Sequence, residues 1–146
     1  MNYRRIALAA VVAWIVSIPV GYLVNNVLFT EIYAANRAVM RTDAALQANL
    51  PLGFAFLLVG YLAFAYVYAK GYEGGNGIVE GVRFGVVAAL LVTGFGLIWQ
   101  YVMYPITGAM SAAIIVDTIV EMAIYGAIVG GIYKPLPTPT ARTVAV

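Results

Sequence analysis

Four apolar stretches, each long enough to cross a bilayer as a helix, decide what this chain can fold into. A hydrocarbon core about 30 Å thick takes about 20 residues of α-helix. Residues 6–29, 51–69, 78–103 and 107–133 meet that length, with at most two charged residues in each. Inside lipid, backbone N–H and C=O groups must be satisfied within the segment, and helices do this. The expected fold is an all-α membrane protein: a four-transmembrane-helix bundle over residues 1–134 and a flexible, Pro-rich tail at 135–146. Only 10% of the residues are charged, against about 25% in a soluble domain, too few to solvate a globular surface.

Basic residues orient such a bundle, because Lys and Arg are retained on the cytoplasmic side. Arg4, Arg5, Lys70, Arg83, Lys134 and Arg142 fall on the side of the N-terminus, and only Arg37 and Arg41 fall opposite. Both termini are therefore expected in the cytoplasm. Arg4 and Arg5 open the first apolar run, but that run is too long for a signal peptide, and a retained span is expected. The outer connection at 30–50 has Ile32, Ala35, Val39 and Leu46 on one helical side and Arg37, Arg41 and Gln47 on the other. This pattern predicts a short amphipathic helix between spans one and two, with Pro51 opening span two. Gly71-Tyr-Glu-Gly-Gly-Asn-Gly77 reads as a tight turn. No strand precedes it and no Gly-Lys-Ser/Thr follows, so it is no phosphate loop.

Chemistry is scarce. The chain has no His and no Cys, which removes the usual zinc, haem and iron–sulfur ligands and the commonest nucleophiles and bases. A net charge of +2 without a Lys/Arg cluster excludes nucleic acid as a partner. The expectation is no enzyme, no cofactor and no metal. The exception is Asp117 and Glu121, four residues apart in the last span and so on one helix face. Carboxylates at membrane depth are costly and usually functional. Two neighbours in a low dielectric do not both stay ionised easily. At the same depth lie Ser17, Pro19, Tyr61, Thr93 and Gly94. Tyr22, Tyr61 and Tyr125 can reach the acids, and Tyr125 continues their stripe. Asp117, Glu121, Tyr125, Tyr61 and Ser17 thus form a candidate proton or cation site. The competing reading is that the protonated acids are hydrogen-bonded glue between helices.

Helices in lipid associate where small residues let backbones approach. Gly81 and Gly85, and Gly126 and Gly130, form two GxxxG motifs at similar depth and are expected to pack spans three and four together. At about 100° per residue, the fourth-span glycines and acids occupy opposite faces. A bare four-helix bundle buries mainly one face of each helix, so a second subunit is expected on the other. Glu80 and Arg83 are expected to form an interfacial ion pair, in preference to a pair between Arg83 and Glu121. A faint internal echo also runs through the chain: Tyr68-Ala-Lys70 and Tyr133-Lys134 close spans two and four.

The run Tyr68 to Gly85, the apolar helix after it, Tyr104-Pro105 and a final acidic span ending Gly-Gly-Ile-Tyr-Lys134 resemble a group of small four-span bacterial integral membrane proteins of unknown function. The likeness covers the last two-thirds of the chain. It implies a four-helix fold and a bacterial inner membrane, and no activity. The expected function is that of a non-catalytic homo-oligomer or accessory subunit of a larger membrane assembly, with the lipid bilayer, itself or other membrane subunits as partners. The alternative is a small proton- or cation-coupled carrier or channel using Asp117 and Glu121.

Overall fold

The computed structural model describes residues 1–135, and these are all-helical. Helix α1 (Tyr3–Leu23) runs on through a π-helical turn (Val24–Leu28) to the short α2 (Thr30–Ala35) and a 3-10 turn (Arg37–Val39). Helix α3 (Asp43–Gly71) returns. Helix α4 (Gly77–Val92) leads through a second π-helical turn (Thr93–Leu97) into α5 (Ile98–Met103), and α6 (Gly108–Ile132) completes the fold. Four helical stretches, Tyr3–Leu28, Asp43–Gly71, Gly77–Met103 and Gly108–Ile132, are long and apolar enough to cross a membrane, as an integral membrane protein requires. Both the start of α1 and the 72–76 turn lie at the end where α6 finishes, called here the termini end; α2 and α5 lie at the far end. The Pro-rich tail falls outside the described residues from residue 136 on.

Each long helix begins at a polar cap. Asn2 accepts from the Arg5 N–H at 3.3 Å, and Thr42 from the Ala45 N–H at 3.3 Å. Asn76 accepts from Ile78 and Val79 at 3.1 and 3.3 Å, and Thr107 from Met110 at 3.2 Å. These side chains take N–H groups that the first helical turn leaves without partners. The Thr42 cap corrects the expectation for span two. The helix starts at Asp43, eight residues before Pro51, and Pro51 lies inside it. An interior proline removes one hydrogen bond, and the rest of the helix absorbs it. At 29 residues, α3 is roughly 43 Å long, longer than the bilayer core. The outer connection is correspondingly short: the six residues of α2, one 3-10 turn and a break at Met40–Thr42.

Helix α6 is the hub. Against α4 it packs backbone to backbone. A methyl group added to Gly81 would land on the Gly126 carbonyl oxygen, one on Gly130 would meet the Gly77 carbonyl oxygen, and one on Gly85 would meet that of Met122. The seam thus gains a turn at Gly77 beyond the two GxxxG motifs. On its other side α6 meets α1 and, more sparsely, α3, while Val116, Val120 and Ile124 form a stripe that stays exposed. The bundle is not a ring of one-sided helices but is organised around α6.

The core lies in the termini half. Ala9, Ala10, Ala13, Ala65 and Val129 expose no surface. Around them Tyr68, Tyr72, Tyr133 and Phe84 interlock, with ring centroids 5.6–6.1 Å apart. The Tyr68 hydroxyl donates to the Gly77 carbonyl at 2.9 Å, tying α3 to the start of α4.

The 72–76 turn corrects a second expectation. Glu80 does not pair with Arg83. Its carboxylate accepts from the backbone N–H groups of Glu73 (3.2 Å) and Gly75 (2.5 Å), beside Gly74 at φ +92°. Two charge-assisted bonds to a fixed turn outcompete one exposed pair along a helix. Arg83 is exposed and forms no ion pair among the described residues; the one pair there joins Arg37 to Asp43. Arg83 does not pair with Glu121 either.

Candidate functional site

Met110, Ile114, Asp117, Glu121 and Tyr125 follow one another at three- and four-residue steps, so they form one stripe along α6. Its helix is held at both ends, by the Thr107 cap and by the glycine seam behind it. Asp117 and Glu121 are half-buried, and neither is in an ion pair among the described residues. The structure brings Tyr125 and Tyr61 toward Glu121 and places Ser17 behind Tyr61. Ser17 of α1 is buried, with its hydroxyl donating to the Trp14 carbonyl at 2.7 Å. Tyr61 of α3 is buried and meets the Tyr125 ring edge to face, 5.2 Å between centroids at 88°. The Tyr61 hydroxyl faces Ser17 and Tyr125, and the Tyr125 hydroxyl faces Tyr61 and Glu121. Tyr125 is only 4% exposed, yet its oxygen sits outside hydrogen-bonding geometry to either neighbour.

Tyr22, also expected within reach, is 67% exposed and points away. Pro19 is exposed as well. Thr93 continues the α4 stripe of Gly81, Gly85 and Ala89, which faces the glycine side of α6. Its buried hydroxyl has no partner, but it does not join the acids.

One site residue was missed by sequence reasoning: Tyr33. It is half-buried in α2. Its phenol pKa is raised by burial first, then by the nearby charges of Asp117 and Glu121. Its position follows from Asn36, one turn further along the chain. That side chain is 4% exposed. Its amide donates to the Ile32 carbonyl (2.8 Å) and the Thr107 hydroxyl (3.1 Å), and its oxygen accepts from the Thr107 N–H (2.9 Å). The clamp pins the outer connection to the cap of α6 and so carries Tyr33 toward the acids. Asn36 and Thr107 are 71 residues apart, and no local pattern marks the pairing.

Beside the clamp lies an open cleft of about 220 Å³, lined by Met40, Gln100, Tyr104, Met110 and Ile114 among others. Its floor is the upper part of the acidic stripe and stops one helical turn above Asp117. Toward the termini end, the stripe runs into the Tyr61–Tyr125 stack and the fully buried core. The arrangement is a set of oxygen donors inside the bundle, open on one side. Among the described residues no three Asp or Glu side chains gather as a metal site. No protein-family model matches the chain, and neither a curated protein nor a solved structure is significantly similar to it.

Proposed function

We propose that this chain is a non-catalytic integral membrane protein that works in company, as a homo-oligomer or an accessory subunit of a larger membrane assembly. The observation that carries this reading is the far half of α3. From Pro51 to Gly60 only Leu58 is even half-buried, and Gly53 and Gly60 have nothing within 4 Å of where a Cβ would stand. Small residues in membrane helices mark the places where another helix fits, and neither glycine meets one in its own chain; α1 reaches this stretch through the Trp14 indole, which donates to the Phe54 carbonyl at 3.0 Å. The argument for a partner rests on α3. The absence of His and Cys supports a non-catalytic role. The basic residues support termini in the cytoplasm, and the resemblance to small four-span bacterial proteins supports a bacterial inner membrane.

Native mass spectrometry of the chain extracted from its own membranes tests this. The expected result is a complex that Gly53→Leu or Gly60→Leu disperses while helix content is kept. A monomer recovered under conditions that preserve other complexes would sink the reading.

A second reading, a small proton- or cation-coupled carrier, is favoured by the gathering of Ser17, Tyr61, Tyr125, Glu121 and Asp117. Liposomes loaded with a pH dye test it. Flux that is lost in Asp117→Asn and Glu121→Gln would support it, and no flux in the parent would remove it.

A further inference from the structure

We propose that Asp117, Glu121 and Tyr125 form a binding site for a small monovalent cation, proton or sodium, entered from the far end and closed toward the termini end. The proposal goes beyond assembly. It is also separable from transport, since it requires binding and no passage across the membrane.

Charge is the first argument. The groups near the two carboxylates are Tyr33 from α2, Tyr61 from α3 and Tyr125 of α6 itself, with Ser17 of α1 behind Tyr61. None of these can bring a positive charge, and no Lys or Arg pairs with either acid among the described residues. Uncompensated carboxylates in a low dielectric draw a cation or a proton.

The second argument comes from Tyr125. The Tyr125 hydroxyl is buried and lies beside Glu121 and Tyr61, yet meets neither at good hydrogen-bonding geometry. A buried polar group left unpaired calls for an explanation. A cation between Glu121 and Tyr125 supplies one, because the phenol oxygen becomes a ligand. A proton on Glu121 supplies the other, because the carboxyl then donates to that oxygen.

The donor set selects the class. All donors are hard oxygens, which suits protons and alkali ions and excludes soft metals. A calcium-type ion takes 6–8 oxygens, several of them carboxylate, and two acids fall short of that. Direction follows from packing. The cleft beside Met40 and Gln100 leads down to Ile114, with Tyr33 beside the acids. Below, the Tyr61–Tyr125 stack and the alanines and Val129 with no exposed surface shut the way.

The test is thermal unfolding of the full chain in nanodiscs of zwitterionic lipid. One series replaces choline with sodium at constant ionic strength. The other varies pH in choline alone. A cation that binds only the folded protein raises its Tm. The expected result is a rise of several degrees in one series, cut by at least half in both Tyr125→Phe and Glu121→Gln. A rise with sodium assigns an alkali ion; a rise only as pH falls assigns a proton. A parent indifferent to both series, or variants that respond as the parent does, would overturn the site. Tyr125→Phe keeps the ring stacked on Tyr61 and removes one oxygen, so it decides the matter if Glu121→Gln does not fold. Binding in nanodiscs without flux in liposomes would dismiss the carrier reading and leave the site standing.

Discussion

At the termini end, α1, α3, α4 and α6 touch through glycines, alanines and interlocked tyrosines; at the far end the same helices part. The near end spends few atoms on side chains. Its seam puts the Gly81 and Gly126 backbones against each other, and its remaining gaps are filled by Tyr68, Tyr72 and Tyr133. The far end carries both π-helical turns, the cleft, the half-buried acids and a clamp made of one asparagine. Lipid tails are as apolar as any side chain, so in a membrane only close packing and hydrogen bonds hold helices together. The end that has both is sealed. The end that has mainly hydrogen bonds keeps an open cleft.

The sharpest way to break this contrast is to place a large side chain in each half. Gly81→Leu is expected to cost about 3 kcal/mol or more and to abolish cooperative unfolding in detergent. Gly60→Leu should change stability by less than about 0.5 kcal/mol, because nothing lies near its Cβ position. Equal losses in the two, read by circular dichroism, would mean that the halves do not differ.

The far end should yield to Asn36→Ala instead. That substitution removes all three clamp hydrogen bonds, and an unsatisfied Thr107 N–H should cost about 2 kcal/mol. Hydrogen exchange is expected to speed up across residues 30–39 while the core of α6 stays protected. A uniform increase along the whole chain would contradict a local clamp. Tyr68→Phe sharpens the near end: losing the bond to the Gly77 carbonyl should cost about 1 kcal/mol in a chemical denaturation series. No loss there would show that the tyrosine acts by packing alone.

The smallest effect is expected from acid. Hydrogen bonding to Arg37, then its charge, holds the Asp43 carboxyl below its ordinary pKa of 3.8. A depressed carboxyl adds stability that is present above that ordinary value and is lost as pH falls through the lowered one. Both side chains are well exposed, so the contribution is slight. Asp43→Asn should leave the parent's stability at pH 7 almost unchanged and flatten only its response at the acid end.

Much of the fold was legible in the sequence because lipid leaves few options. Span number, the glycine spacing at Gly81, Gly85, Gly126 and Gly130, and the shared face of Asp117, Glu121 and Tyr125 all follow from helix geometry applied to one segment at a time. The start of α3 departs from expectation because Pro51 is a strong local signal, while the Thr42 cap nine residues before it is a weak one. The Glu80–Arg83 pair was misjudged because spacing along a helix says nothing about a turn that folds back on it.

By itself, then, the order of residues determined that this chain makes apolar helices, how long they are and which face of each carries which chemistry. Those are local properties, set by hydrophobic run length and by 3.6 residues per turn. Only the tertiary structure decided that α6 sits between α4 on one side and α1 and α3 on the other, that Asn36 grips Thr107, and that Tyr33 comes to the acids. Each of these joins residues far apart in the chain, and such pairings are chosen by how the whole bundle packs.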